Sequence, residues 1–170
     1  MRAYALDELG QPGSIREVPD PQPAAGQVRV RVAASALNPF DNAVVNGYLK
    51  DRMEHRFPLI PASDLAGTVD AVGSDVTEFA IGDHVFGIRG TMVIGEGTLA
   101  ELATASTGTI AKRPAKISEA EGAAMALAGV SALMTVDASD PRPKDVVVVV
   151  GASGGSGATR SNWPAYGAHM

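Results

Sequence analysis

Hydrophobic and polar residues alternate in short stretches along the first two thirds of the chain. Residues 27–33 alternate with a period of two, which is typical of a strand with one buried face. Residues 68–73, 83–87 and 99–105 have a similar character, and glycine-containing turns separate the stretches. Short strands joined by such turns predict a β-barrel or sandwich over residues 1–117.

The pattern changes at Ser118. Glu121 follows three residues later, which is the spacing of a capping box, and residues 120–136 then favour a helix. Residues 145–150 contain five consecutive valines. Such a run is typical of a strand buried on both faces, as in a parallel sheet covered by helices. Residues 118–170 are therefore predicted to begin an α/β domain.

A glycine-rich loop, residues 151–157, directly follows the valines. The spacing Ala152-x-Gly154-x-x-Gly157 is close to that of a dinucleotide-binding turn, with alanine at the first glycine position. Such a turn lets backbone N–H groups approach a pyrophosphate at the start of a helix. A flexible turn that binds nothing is the alternative.

Two other kinds of glycine-rich site, a nucleophile elbow and a phosphate-binding P-loop, are inconsistent with the residues of this loop. A nucleophile elbow centred on Ser153 needs an acid and a histidine later in the chain, and residues 156–170 contain no Asp or Glu. A phosphate-binding P-loop needs Gly-Lys-Ser/Thr, whereas Ala158 and Thr159 follow Gly157. We reject both interpretations.

Composition narrows the class of protein. The chain has 170 residues, of which 45% are hydrophobic, and a formal net charge of −5, which is typical of a globular protein. A mildly acidic chain without a basic block argues against nucleic-acid binding and against an anionic membrane surface. The valines at 146–150 are too few to cross a bilayer, and Asp7 lies where a signal peptide is apolar. We expect a cytoplasmic protein that contacts neither nucleic acid nor membrane.

The sequence offers little for a metal ion. Cysteine is absent, so disulfides, thiolate ligands and a cysteine nucleophile are excluded. A catalytic zinc needs three protein ligands. The three histidines, His55, His84 and His169, are scattered along the chain, and His84 lies inside a predicted strand. No metal site is predicted.

Five motifs, in order, resemble the zinc-independent quinone oxidoreductase branch of the medium-chain dehydrogenase/reductase superfamily. The resemblance covers roughly residues 1–158, with Ala62 in place of the usual glycine and Ser131 in place of the usual threonine. The motifs lie at residues 1–12 (M-R-A and G-Q-P), 36–41 (A-L-N-P-F-D), 57–69 (F-P-L-I-P-A-S-D-L-A-G-T-V), 82–87 (G-D-H-V-F-G) and 123–132 (A-A-M-A-L-A-G-V-S-A).

The resemblance implies a mainly β protein with an α/β C-terminal part. A GroES-like barrel over residues 1–117 would carry the substrate and catalytic residues, and residues 118–170 would form a hinge helix and the first helix-strand-turn of a Rossmann domain. The implied activity is hydride transfer from NADPH, or NADH, to a quinone or conjugated enone, without zinc. The implied catalytic residues are Asn38, Asp41 and Tyr48. The implied cofactor-binding residues are Ser131, Ala152, Ser153, Gly154, Gly155, Ser156 and Gly157.

Each of four residues also has a purely structural interpretation. Asn38, which precedes Pro39, is suited to capping a turn, and Asp41 is suited to a helix N-cap. Tyr48 is suited to a loop and Ser131 to a helix face. The sequence leaves these alternatives open.

The family pattern breaks after Gly157, where a long apolar helix is expected. Pro164 inside a helix costs about 3 kcal/mol, and the ribose-reading residue, about twenty positions on, lies beyond residue 170. The resemblance is thus to a truncated member, for which we expect weak or no nucleotide binding. The alternative is a non-catalytic domain that self-associates as a homodimer through the strand at 145–150, since a lone strand leaves both edges unpaired.

Overall fold

The computed structural model describes residues 1–90, 93–142 and 145–161. Within these residues the chain forms nine β-strands, three α-helices and one 3-10 turn, Thr107–Thr109. The helices are α1 (Pro39–Val45), α2 (Glu119–Ser139) and α3 (Gly155–Ser161). The strands are β1 (Arg2–Ala5), β2 (Ser14–Glu17), β3 (Gln27–Ala36), β4 (His55–Ile60), β5 (Asp64–Val72), β6 (His84–Ile88), β7 (Ile94–Glu96), β8 (Leu102–Ser106) and β9 (Ile110–Lys112).

The largest layer is a five-stranded antiparallel sheet in the order β8-β3-β5-β6-β9. The alternation along β3 explains its place in this sheet, because Val28 and Val30 are fully buried while Arg29 pairs with Asp70 of β5 at 2.8 Å. The same core includes Leu65, Val69, Val85, Ala103, Ala105 and Ile110.

Two smaller sheets complete the barrel and place α1. β1 pairs with β2 in an antiparallel sheet, and β4 pairs with β7 in a parallel one. Leu6, Val44 and Leu59 are buried in one cluster, so α1 packs through Val44 against the chain around β1 and β4. This packing holds the first turn of α1 near the loop that joins β4 to β5.

The alternating stretches are confirmed as strands. Residues 27–33 belong to β3, residues 68–73 cover the end of β5, and residues 83–87 overlap β6. The stretch 99–105 is confirmed only from Leu102 onward. Residues 99–101 instead bond to β1, where the Tyr4 N–H donates to the Leu99 carbonyl at 2.9 Å.

The predicted helix and its capping box are also confirmed. α2 contains the predicted residues 120–136. The Ser118 N–H donates to the Glu121 carboxylate at 2.8 Å, and the Glu121 N–H donates to Ser118 Oγ at 3.3 Å. These reciprocal bonds satisfy N–H groups that the helix itself leaves unpaired.

The predicted strand at residues 145–150 is wrong, because this segment has no regular secondary structure. Val146, Val148 and Val150 are 92%, 80% and 86% exposed. A strand needs a neighbour to complete its hydrogen bonds, and none of the strand pairs in the described residues includes this segment. The homodimer predicted through this strand stays a prediction.

The chain divides into two compact units, of which the first is Met1–Ala123 and the second begins at Ala124. Unit 1 contains the three sheets and α1. Unit 2 contains most of α2, the valine segment and α3. The predicted domain boundary between residues 117 and 118 stays a prediction.

One helix bears on membrane contact. α2 has 21 residues, and by length and composition it could cross a membrane; its most apolar window is 22% buried. The core helix of a soluble protein passes the same test. The expectation of no membrane contact rested on the acidic charge and on the short run of valines at 146–150, without considering α2, and it stays a prediction.

Candidate functional site

A cleft in unit 1 opens where α1 begins, beside the loop between β4 and β5. It holds about 310 Å³ of space outside the protein atoms, open solvent included. Its polar lining includes Asp41, Ser63 and Arg89. Its apolar lining includes Phe40, Val44, Ile60, Pro61 and Ile94. The cleft thus brings a carboxyl, a hydroxyl and a guanidinium group together beside apolar side chains.

Asn38 is the N-cap residue of α1, the position that the structural interpretation had given to Asp41. Its backbone N–H donates to Asp41 Oδ2 at 2.7 Å. Its side-chain Nδ2 donates to Asp64 Oδ2 at 3.0 Å, and Asp64 is only 1% exposed. Asn38 therefore joins the start of α1 to the start of β5, and its amide nitrogen is directed at Asp64.

Asp41 lies at the third position of α1, so its interpretation as an N-cap is wrong. The residue is 5% exposed and lines the cleft. Burial raises the pKa of Asp41, although the hydrogen bond from the Asn38 N–H opposes this increase. A buried carboxyl group with a raised pKa is suited to holding and releasing a proton.

Thr98 fixes the loop between β4 and β5. Its backbone N–H donates to the carbonyls of Pro61 and Ala62 at 3.1 and 3.2 Å, and its hydroxyl donates to the Asp64 carbonyl at 2.8 Å. Ala62 has a φ of 72°, a left-handed conformation that costs roughly 1–2 kcal/mol for a residue with a Cβ. The usual glycine of the resembled motif would avoid this cost, so the bonds from Thr98 hold a strained residue at the cleft.

Arg89 is a cleft residue that the sequence reasoning missed. It follows β6 directly and is only 3% exposed. Its Nη2 pairs with Glu96 at 3.0 Å, and its Nη1 donates to the Val93 carbonyl at 3.2 Å. Burial lowers the pKa of Arg89, and the carboxylate of Glu96 opposes the decrease. The available signal was an arginine placed directly after the apolar end of a predicted strand.

Tyr48 is not among the residues that line the cleft. It follows Gly47 in the turn after α1 and is 75% exposed. Its backbone N–H donates to the Ala43 carbonyl at 3.0 Å. The geometry favours the interpretation of Tyr48 as a loop aromatic, and its catalytic role stays a prediction.

The residues predicted to bind the cofactor lie in unit 2. Residues 152–155 are exposed, whereas Gly157 is buried. A Cβ at Gly157 would overlap the carbonyl oxygen of Gly151, so the tight turn requires glycine there. A Cβ built on Gly155 would lie 3.5 Å from that of Ala128, one helical turn from Ser131 on α2. The tight turn and the helix start are present, but the strand that carries such a turn is not formed, and the cofactor-binding role of these residues stays a prediction.

The described residues contain no group of three His, Asp or Glu side chains able to hold a metal ion. His55 lies in β4 and His84 in β6, where Nδ1 of His84 is 3.3 Å from Thr68 Oγ1. His169 lies outside the described residues. Zinc independence stays a prediction.

Comparisons of the sequence and of the structure with known proteins point to the same family. The model of the alcohol dehydrogenase GroES-like domain matches residues 24–115. A chloroplastic quinone-oxidoreductase, QR1, from Triphysaria versicolor is 36% identical over 149 residues, covering 83% of this chain and 44% of that protein. The quinone oxidoreductase of Coxiella burnetii superimposes with a TM-score of 0.85 at 29% identity, over 98% of this chain and 54% of that one. A mycobacterial protein solved with NADPH gives a TM-score of 0.84 at 26% identity, over 98% of this chain and 50% of that one.

The barrel with its cleft is that of a GroES-like domain, followed by a few Rossmann-like elements. The chain belongs to the alcohol dehydrogenase GroES-like domain family, in the quinone oxidoreductase group of the medium-chain dehydrogenase/reductase superfamily. The chain spans about half the length of the curated relatives it matches. The predicted family and fold class are thus confirmed.

Proposed function

We propose that this chain carries the substrate-binding part of an oxidoreductase that reduces quinones or conjugated enones with NADPH and without zinc. Relatives named as quinone oxidoreductases support the reaction, and the solved relative that holds NADPH supports a nicotinamide cofactor. NADH remains the alternative, since another solved relative is named an NAD-dependent alcohol dehydrogenase. The observation that carries the proposal is the buried carboxyl group of Asp41 in the cleft.

Asp41 has the proton-handling role in this proposal. When NADPH is bound, it supplies a hydride, and reduction of a quinone to a hydroquinone also consumes one proton, leaving NADP⁺. The Asp41 carboxyl group donates that proton to the substrate oxygen and regains it from solvent. Asn38 acts as a positioning residue, because its N–H holds Asp41 Oδ2 and its Nδ2 is directed at Asp64.

The glycine turn of unit 2 has the cofactor-binding role. The exposed backbone of residues 152–155 would contact the pyrophosphate, and the absence of a side chain at Gly157 keeps the turn tight. Ser131 would contact the nicotinamide side. The expectation that the chain alone binds nucleotide weakly belongs to the same proposal, since the strand before the turn is not formed.

A second candidate is a non-catalytic domain that self-associates. The exposure of Val146, Val148 and Val150 favours it, because exposed valines gain free energy when they are covered. Light scattering distinguishes the two candidates. A dimer that binds no quinone supports self-association alone, whereas a chain that binds quinone in the cleft supports the oxidoreductase.

The test begins with quinone binding, which needs only unit 1. 1,4-Naphthoquinone is titrated into ¹⁵N-labelled protein, and amide shifts are expected around Asp41 and Arg89. NADPH oxidation is then followed at 340 nm with millimolar NADPH. Asp41→Asn is expected to lower the rate about 100-fold, the low end of the range for a lost general acid. The exposed Asp51 provides the matched control, Asp51→Asn. Absence of both quinone binding and NADPH oxidation would refute the proposal.

Cellular location belongs to the proposal as well. We propose the cytoplasm for this protein. The plant relative is named chloroplastic, which is a statement about that protein. Fractionation of cells that express the native gene tests the point.

A further inference from the structure

The backbone around Arg89 is fixed on both sides. Its N–H donates to the Ser63 carbonyl at 2.9 Å, and its carbonyl accepts from the Ser106 N–H at 3.0 Å. Ser63 also lines the cleft. The guanidinium group therefore starts from a rigid position, which is what a binding group needs in order to recognise a ligand without reordering.

The hydrogen bonds of the Arg89 side chain leave its Nε atom without an acceptor in the described part of the chain. Nη1 and Nη2 donate to Val93 and Glu96, whereas Nε is buried and has no acceptor among the described residues. A buried cation that keeps an unused N–H is costly, because the charge has lost its water without a full replacement. A ligand oxygen would complete the set once a small opening of the cleft brings it to the buried Nε.

The positive charge of Arg89 is only partly balanced. Glu96 is 49% exposed and also lies 3.3 Å from Nη1 of Arg56, so one carboxylate serves two guanidinium groups. Because that carboxylate is shared and half in water, its ability to neutralise a buried charge is reduced. The cleft therefore favours an anionic group at Arg89.

The rest of the cleft restricts the ligand further. Phe40 lines it and is 40% exposed, so it offers an apolar wall that suits a short chain or a single ring. Arginine binds carboxylates in a two-point geometry that lysine cannot reproduce. The ligand that fits is a small apolar molecule with one carboxylate.

We propose that Arg89 binds the carboxylate of an acidic substrate, so that the cleft takes conjugated enones bearing a carboxylate in preference to neutral ones. This inference rests on the proposed function only in calling the ligand a substrate. Binding of the ligand is measured without turnover. Arg89 is then a specificity-determining residue, and Asp41 remains the proton-handling group.

The experiment compares two probes of nearly the same shape. 4-Oxo-4-phenylbut-2-enoate is a conjugated enone with a carboxylate, and its methyl ester is neutral. Calorimetric titration of the full chain is expected to give at least tenfold tighter binding of the acid. Arg89→Gln should remove this preference, and Arg89→Lys should retain part of it because lysine keeps the charge.

A second variant keeps the test valid if the changes at Arg89 unfold the protein. Glu96→Gln frees the guanidinium group from its shared partner and is expected to tighten binding of the acid at least threefold. Glu101→Gln is the matched control, since Glu101 is 43% exposed, pairs with Arg2 and does not line the cleft. Glu101→Gln removes one negative charge, as Glu96→Gln does, and should leave binding of the acid unchanged.

Each outcome bears on the inference separately from the proposed function. Equal affinity for the acid and the ester, no binding of either probe, or weaker binding of the acid in Glu96→Gln overturns the inference. Reduction of both probes by NADPH at equal efficiency also overturns it while supporting the oxidoreductase. Selective binding of the acid with no reduction supports the Arg89 site, and the missing reduction then concerns the proposed function alone.

Discussion

Asn38→Ala is expected to destabilise unit 1 by about 1.5–3 kcal/mol at neutral pH. The change deletes the hydrogen bond from Asn38 Nδ2 to Asp64 Oδ2, which is 3.0 Å long. Asp64 is 1% exposed, so water cannot replace the lost donor without opening the structure. The range is that of hydrogen bonds to charged groups. The backbone bond from the Asn38 N–H to Asp41 is kept, because alanine retains that N–H.

The measurement is urea unfolding at pH 7, with the melting temperature as a second readout. Each kcal/mol lowers the melting temperature by roughly 4 °C in a domain of this size. Asn46→Ala is the matched control, because Asn46 lies at the other end of α1 and its Nδ2 donates to the Asn42 carbonyl at an exposed position. We expect the control to cost less than about 0.5 kcal/mol. A loss below that value for Asn38→Ala, or equal losses for both variants, would refute the reasoning.

Three further predictions follow from the same contacts. Burial raises the pKa of Asp41, so the native state holds the carboxyl proton more tightly than the unfolded chain does. The wild type should therefore gain stability relative to Asp41→Asn as the pH falls from 7 toward 4. Urea unfolding at several pH values measures this difference. Gly157→Ala should disturb the amide spectrum of unit 2 because its Cβ would overlap the Gly151 carbonyl, whereas Gly154→Ala, whose Cβ lies 3.5 Å from that oxygen, should be tolerated. Ser118→Ala should cost about 1 kcal/mol of stability by removing the capping box, and a smaller loss would show that α2 starts without it.

Local patterns predicted the elements whose cause is local. The alternation of residues 27–33 reflects the two faces of β3, and the Ser118–Glu121 spacing reflects two hydrogen bonds within one helical turn. Both depend on side chains close together in the sequence. The family and the GroES-like fold followed from motifs whose order and spacing the sequence displays directly.

The predictions that failed, and the residues that were missed, depend on interactions between parts of the chain that are far apart in the sequence. The five valines at 146–150 have strong β propensity, but a strand forms only where a neighbour completes its hydrogen bonds. Arg89 and Thr98 were missed for a related reason. Their roles depend on contacts with Ser63 and Asp64, which lie 26 and 34 residues away in the sequence and become neighbours only in the folded barrel.

The structural and chemical roles of Asn38 and Asp41 depend on two bonds at the start of α1, of which Asn38→Ala deletes the one to Asp64 and keeps the one to Asp41. Asn38 holds the Asp41 carboxylate through its N–H, and this bond lowers the pKa that burial raises. A change that loosened the start of α1 would let water reach the cleft and weaken both effects. Activity lost in Asn38→Ala is therefore evidence of positioning only if the protein remains folded and the pH profile shifts. If the rate falls at every pH by the same factor while the fold is intact, Asn38 acts on the substrate itself.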